Sequence, residues 1–221
     1  MDSSHIPFRS LPRYTAEELV ARSRSLYDAM AARRSVRNFS GQPIPEEAVL
    51  NCIRTAGTAP SGANQQPWTF VLVKRRDVKR AIREEAERIE REFYTSRAPK
   101  EWKDALAPLG TGYQKPFLEQ APYLIVVFVQ DYGLLPDGSR VAHYYARKSV
   151  GIATGFLIAS LHELGISTLT YTPGTMGFLS RILGRPKNER PFLILVTGYA
   201  DESARVPDIR RKPLEEIAVS F

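Results

Sequence analysis

Two segments and three scattered side chains carry groups that could do chemistry together. Arg33, Arg34 and Arg37 fall within one short stretch, with Ser35 between them. Their guanidinium forks match the geometry of a phosphate and stay charged at any working pH. A little further on runs Ala59-Pro60-Ser61-Gly62-Ala63-Asn64-Gln65-Gln66-Pro67-Trp68. Pro60 and Pro67 restrict their own φ and bias Ala59 and Gln66 toward extended backbone, while Gly62 allows geometry that a Cβ would exclude. A stiff loop of this kind brings backbone close to a flat ligand. With the arginines, it suits a phosphorylated planar cofactor with polar edges. The same residues also read as an ordinary proline-bounded connector and a solvated charge run.

The three scattered side chains are Glu90, Tyr94 and Lys115. On a helix, positions 90 and 94 share a face. A carboxylate pairs with an ammonium, and a lysine ammonium with a phenol hydroxyl binds a carboxylate, so the trio complements an amino-acid zwitterion. The plainer reading is a surface i,i+4 pair and an unrelated lysine. Other chemistries lack their signatures. His5, His143 and His162 are far apart without an acidic or cysteine cluster, so no metal is expected. There is no GxGxxG, Walker loop or nucleophile elbow.

The elements that must position these groups follow from periodicity. Residues 1–14 read as an irregular arm. Thr15-Ala16-Glu17-Glu18 is a capping box opening a helix to about Ala32, with Leu19, Leu26 and Met30 inward. A second helix starts at Pro45, carries Val49, Leu50, Ile53 and Ala56 as its stripe, and stops at Gly57. Trp68–Val73 reads as a strand buried on both faces. From Asp77 to about Tyr94 a narrow apolar stripe on a charged helix predicts weak docking, suiting a movable cover. Prolines and glycines break up 95–120, with a short helical piece at Trp102–Leu106 and a lid spanning about 77–120. Tyr123–Val129 is a strand, Pro136-Asp137-Gly138 a turn, and Val141–Leu164 the longest helix. On that helix Gly151, Gly155 and Ala159 form a ridge that either a partner subunit or this chain's own backbone can approach. Strands at Ser167–Tyr171 and Phe192–Thr197 flank a short helix ending at Gly184. Ile217–Phe221 is an apolar end piece without an obvious local partner, which invites exchange with another subunit's sheet.

At 221 residues the chain suits one domain, here 15–221 after the arm. Its one cysteine, Cys52, excludes a disulfide framework and fits a buried thiol in a reducing cytoplasm. The longest apolar stretch is too short to cross a bilayer, so no membrane partner is expected. A net charge of +7 favours anionic ligands, but basic and acidic residues interleave without a nucleic-acid signature, and no nucleic-acid partner is expected.

From Arg33 to Val219 the sequence resembles the flavin-dependent nitroreductase superfamily. Arg33-Arg34-Ser35-Val36-Arg37 and Thr55-Ala56-Gly57-Thr58-Ala59-Pro60-Ser61-Gly62-Ala63 resemble its iodotyrosine deiodinase branch closely. The resemblance implies an α+β fold of the nitroreductase type. Its central sheet is mixed and mostly antiparallel, flanked by helices, in a domain-exchanged homodimer. It implies FMN held by Arg33, Arg34, Ser35, Arg37, Pro60, Ser61, Thr170, Tyr171, Thr172 and Arg211. A halotyrosine would be bound by Ala63, Glu90, Tyr94 and Lys115, with Ala63 offering its backbone N–H to the phenol oxygen. Thr172 would place its hydroxyl beside flavin N5, favouring stepwise electron transfer and reductive dehalogenation. Electrons would come from NAD(P)H or a separate reductase, and the alternative activity is a general NAD(P)H-dependent nitro or quinone reductase. Tyr171 stands where the branch has a small hydroxyl residue, and Ala98-Pro99 lies in the lid.

Overall fold

The structure, a computed structural model, describes residues 6–96, 99, 101 and 112–221. The predicted helix at Trp102–Leu106 and Ala98 of the lid lie outside them. The chain forms two compact units, residues 1–33 and 34–221.

The first unit is built on helix α1 (Ala16–Ala32). Its capping box forms as read: Glu18 N–H donates to Thr15 Oγ1 at 3.2 Å, and Thr15 N–H donates to Glu18 Oε2 at 2.8 Å. No residue of α1 is buried. Leu19 and Leu26, expected to face inward, are 54% and 61% exposed. A lone helix has no second layer of its own against which to bury a stripe.

The second unit runs α2 (Glu46–Gly57), β1 (Trp68–Val73), α3 (Arg76–Ser96), α4 (Phe117–Gln120), β2 (Tyr123–Gln130), β3 (Tyr132–Leu134), β4 (Arg140–Ala142), α5 (Ala146–Glu163), β5 (Ser167–Tyr171), α6 (Gly177–Ile182) and β6 (Glu189–Gly198). Short 3-10 turns lie at Gly62–Asn64 and Leu214–Glu216. The main sheet has the order β1-β2-β6-β5, and each pairing is antiparallel. A parallel bridge from Ser35 to Thr168 supplies the mixed character that the resemblance implies.

Helices cover both faces of this sheet, and residue parity decides which cover a side chain meets. Leu124, Val126, Phe128, Ile194 and Val196 pack with Ile82 and Ala86 of α3, Leu118 of α4 and Leu179 of α6. Their neighbours Ile125, Val127, Val129, Leu193 and Leu195 pack with Val49, Cys52 and Ala56 of α2 and Val150, Leu157 and Leu161 of α5. A central strand clad on both sides must be apolar at every position, and Tyr123–Val129 is. β1 does not match that expectation. Its residues are half-buried up to Leu72, because it lies at the sheet edge with β2 as its one strand neighbour.

Pro191 is tolerated in β6 because it stands at a register shift opposite Phe128, beyond the stretch that β5 pairs with. The helix expected over 141–164 runs only from Ala146 to Glu163, and α3, with 21 residues, is longer than its 18. Residues 140–142 form β4, a hairpin with β3 closed where Ser139 N–H and Oγ donate to Asp137 Oδ1 at 2.9 and 2.6 Å. The turn was legible, but its flanking strands are too short to alternate visibly. On α5 the sequence left two uses open for the small-residue ridge. Gly151 and Gly155 are exposed, with nothing within 4 Å of where a Cβ would stand, so none of the described residues packs against them. The end piece 217–221 forms no strand within the chain, and Ile217, Val219 and Phe221 are exposed.

Helix α3 is held more firmly than its charge suggested. Ile82 and Ala86 are fully buried, and Lys79 runs its stem inward to donate from Nζ to the Ala121 carbonyl at 2.6 Å. Burial holds the Lys79 ammonium below the usual lysine pKa. Ile82→Ala is expected to lower unfolding free energy by about 2–5 kcal/mol, and Phe93→Ala, at a half-buried position, by clearly less. Urea denaturation checks both; equal losses would mean that docking is uniform along the helix.

Candidate functional site

Past α1 the backbone extends. Arg33 is the helix C-cap, its N–H donating to Met30 O at 3.2 Å, and belongs to the N-terminal unit. Arg34 opens the second unit and donates from Nη2 to the Pro207 carbonyl, drawing the late segment toward the arginines. Val36 N–H donates to Thr168 O at 3.2 Å, so this segment runs beside β5. Arg37 is half-buried, and desolvation lowers its pKa from the ordinary arginine value. It lines a cavity of about 340 Å³ with Asn38, Gly112, Tyr113, Gln114 and Phe117.

Strand alternation then sorts the β5 residues. Thr170 and Thr172 are exposed, while Leu169 and Tyr171 turn inward. Both threonine hydroxyls therefore belong to one surface, beside the segment that holds Arg34 and Arg37. The Tyr171 side chain leaves the other face of the strand, so its hydroxyl does not join them. Arg211 lies in the exposed segment beyond Pro207.

The proline-bounded loop is strained in a way its sequence does not announce. Ala63, Asn64 and Gln66 adopt φ of 49°, 52° and 48°, and the left-handed geometry at Gln66 overturns the extended backbone expected before Pro67. Gly62 is needed for close approach: a Cβ there would lie 2.6 Å from the Tyr144 carbonyl oxygen. Gln65 braces the loop with both ends of its amide. Nε2 donates to Ala142 O at 2.9 Å, and Oε1 accepts the Tyr144 N–H at 2.7 Å. Ser61 Oγ accepts the Gln66 N–H at 2.9 Å, and Gly62 N–H donates to the buried Ser149 hydroxyl at 3.4 Å. These anchors stand at the start of α5, whereas those of the arginine segment stand on β5 and Pro207. The sequence does not announce this bracing role of Gln65, because its partners stand 77 and 79 residues away.

Glu90, Tyr94 and Lys115 do come together, inside the α3 and α4 layer. Glu90 Oε2 lies 3.6 Å from Lys115 Nζ, and the two residues are 8% and 4% exposed. Lys115 Nζ also donates to Gly112 O at 2.5 Å and stands 6.0 Å from the Tyr94 ring centroid. Its backbone N–H donates to Glu87 Oε1 at 2.7 Å. Burial lowers the Lys115 pKa, and Glu90 opposes that shift. Tyr94 is raised by burial, then by Glu90. A fourth member joins from the sheet: Tyr171 OH donates to Glu90 Oε1 at 3.3 Å. Desolvation, followed by the Glu90 charge, pushes its phenol far above the ordinary value. Ala63 is exposed on the strained loop, away from the trio in sequence and anchored with α5. Among the described residues no His, Cys, Asp and Glu grouping could hold a metal ion. No helix of the described residues is long and apolar enough to cross a membrane.

Residues 30–199 match the nitroreductase family. The iodotyrosine deiodinase of Haliscomenobacter hydrossis is 49% identical over 209 residues, 95% of this chain and 94% of that protein. Iodotyrosine deiodinase 1 of Homo sapiens is 45% identical over 217 residues, 98% of this chain and 75% of that one. Among solved structures, oxidised iodotyrosine deiodinase bound to FMN and 3-iodo-L-tyrosine superposes with a TM-score of 0.76 and 32% identity. It covers 85% of this chain and 96% of that one.

The Tyr171 shift has a definite sign. Its folded pKa lies above the unfolded value of 10.0, so above about pH 10 the unfolded chain releases a proton that the folded one keeps, and stability falls. Lys115, shifted down, acts oppositely just below its unfolded 10.5. Above pH 10 the wild type is expected to lose stability faster than Tyr171→Phe, by up to about 1.4 kcal/mol per pH unit. Urea titrations across the alkaline range measure this; parallel curves would mean that Tyr171 is not buried as a neutral phenol.

Proposed function

The chain belongs to the nitroreductase family, and from that premise we propose that it is an FMN-dependent reductive dehalogenase of halotyrosines. The observation that carries the substrate is the buried Glu90–Lys115 pair beside Tyr94: opposite charges held together out of water, with the lysine ammonium 6.0 Å from the Tyr94 ring centroid. An amino-acid zwitterion can exchange into such a pair without leaving either charge uncompensated, its ammonium on Glu90 and its carboxylate on Lys115 and Tyr94. A general nitro or quinone reductase has no use for that arrangement. The near-full-length identity to iodotyrosine deiodinases supports the same reading.

The donor set suits FMN. Arg34 and Arg37, with Arg33 and Arg211, are the phosphate ligands of this proposal. Ser35, Pro60, Ser61, Thr170 and Thr172 supply polar contacts along the ring edge. When bound, FMN supplies the two electrons that, with a proton, replace a carbon–halogen bond by carbon–hydrogen and release halide. The chain's own task is to orient and to dry the site. The zwitterion clamp fixes one end of the substrate, Ala63 N–H meets its phenol oxygen, and Thr172 presents a hydroxyl at the reacting face.

The functional unit of this reading is a homodimer. The loop and the arginine segment are anchored at different places on one chain, and α5 exposes Ile152 and Phe156 beside its glycine ridge. A second copy of α5 could approach closely there, and the apolar end piece could extend the partner's sheet. NAD(P)H or a separate reductase serves as electron donor, in a reducing cytoplasm that suits the lone thiol of Cys52.

The purified protein is expected to carry flavin absorbance. After anaerobic reduction, 3-iodotyrosine should reoxidise it with release of iodide; no halide from any halotyrosine would refute the assignment. Glu90→Gln and Lys115→Ala should each weaken halotyrosine binding at least about tenfold while retaining FMN. Gln65→Ala should show the converse, raising the FMN dissociation constant about tenfold through a loosened loop. Flavin fluorescence titration separates the two patterns.

A further inference from the structure

Tyr171 is the member of the buried cluster that the proposed reaction does not employ. Its ring, 7% exposed, meets Phe117 edge-on with centroids 5.6 Å apart at 78°. From that seat its hydroxyl reaches Glu90 Oε1, while Oε2 of the same carboxylate faces Lys115 Nζ. The Lys115 ammonium lies 5.5 Å from the Tyr171 ring centroid, so the phenol flanks both partners of the ion pair. Glu90 has three rotatable side-chain bonds on a helix flank, whereas a packed phenol ring has two that the sheet already immobilises. The rigid group determines where the flexible one points.

We propose that Tyr171 is a positioning residue for the substrate ammonium: by occupying Glu90 Oε1 it presents Oε2 to the incoming amine. This rests on the zwitterion reading above and adds a specificity determinant on β5. The hydroxyl remains a donor because the buried phenol stays protonated. The bond also ties α3 to the strand that carries Thr170 and leads directly into Thr172, so the recognition end of the substrate and its reacting end share one rigid reference. When a substrate amine binds Oε2, Lys115 turns to the substrate carboxylate, and Tyr171 keeps its bond throughout.

The test uses the FMN-loaded full chain and Tyr171→Phe, which preserves the ring and removes the hydroxyl. The probes are 3-iodo-L-tyrosine and its deaminated analogue 3-(3-iodo-4-hydroxyphenyl)propanoate, followed by flavin fluorescence. The preference for the amino acid over the analogue is expected to fall about tenfold, the loss of a hydrogen bond to a charged group. A separate measurement needs no substrate: amide exchange at positions 90–94 should quicken in Tyr171→Phe. An unchanged preference, or equal weakening of both ligands, overturns the positioning role, since general packing damage does not sense an amine. Unchanged exchange overturns the anchoring of Glu90. If wild-type protein binds no iodotyrosine at all, the proposed substrate falls, and the exchange comparison still decides whether Tyr171 holds Glu90.

Discussion

A glutamate and a lysine, each less than a tenth exposed, lie 3.6 Å apart in the layer where α3 and α4 cover the sheet. Removing each charge from water costs several kcal/mol, and their mutual attraction recovers roughly 5 kcal/mol at an effective dielectric near 20. The sum is near balance, so the pair does little for stability by itself. What lets it exist is the surrounding satisfaction: Gly112 O takes the lysine, Tyr171 OH takes the glutamate, and Glu87 takes the Lys115 backbone N–H. Each of those partners depends in turn on the docking of α3 and α4 on the sheet. A pair that does so little for stability fits the ligand-binding role proposed for it.

The loop at 60–67 stores a different kind of cost. Non-glycine residues in left-handed backbone are disfavoured by about 1 to 3 kcal/mol each, and three of them occur within four positions. Gln65 and Ser149 hold that shape from outside, and the Gln66 N–H is satisfied within the loop by Ser61. The effect is to turn backbone N–H groups in directions that an extended connector would not offer. The proline positions stiffen a conformation that tertiary hydrogen bonds select.

Most of the framework was legible in the sequence because its signals are local. The capping box at Thr15, the stop at Gly57 and the bounds of β1 and β5 all rest on neighbouring residues, and all occur as read. What failed was nonlocal. β1 looked like a core strand because a hydrophobic run does not reveal that it lies at an edge, and α3 looked loose because Lys79 counts as polar until its ammonium finds the Ala121 carbonyl. In the site, Glu90 and Tyr94 share a helix face by arithmetic alone. Tyr171 was assigned with Thr170 and Thr172 as a cofactor residue. Strand parity sends adjacent side chains to opposite faces, so the Tyr171 side chain parts from those of Thr170 and Thr172.

That parity is also what makes the arrangement coherent. Thr168 bonds the arginine segment through its backbone, Thr170 and Thr172 line the exposed face above it, and Tyr171 enters the opposite layer to meet Glu90. β5 is therefore the element to which the threonine surface and the ion pair are both referred, one through each of its faces. It can serve because β6 pairs with it across five residues and is itself buried in the middle of the sheet. Moving the register of β5 by one residue would exchange the two faces, turning threonines toward the ion pair and the tyrosine toward the arginines. The hydrophobic demand for Leu169 on the core side forbids that slip, so the ordinary packing of a strand keeps the tyrosine with the ion pair and the threonines with the arginine segment.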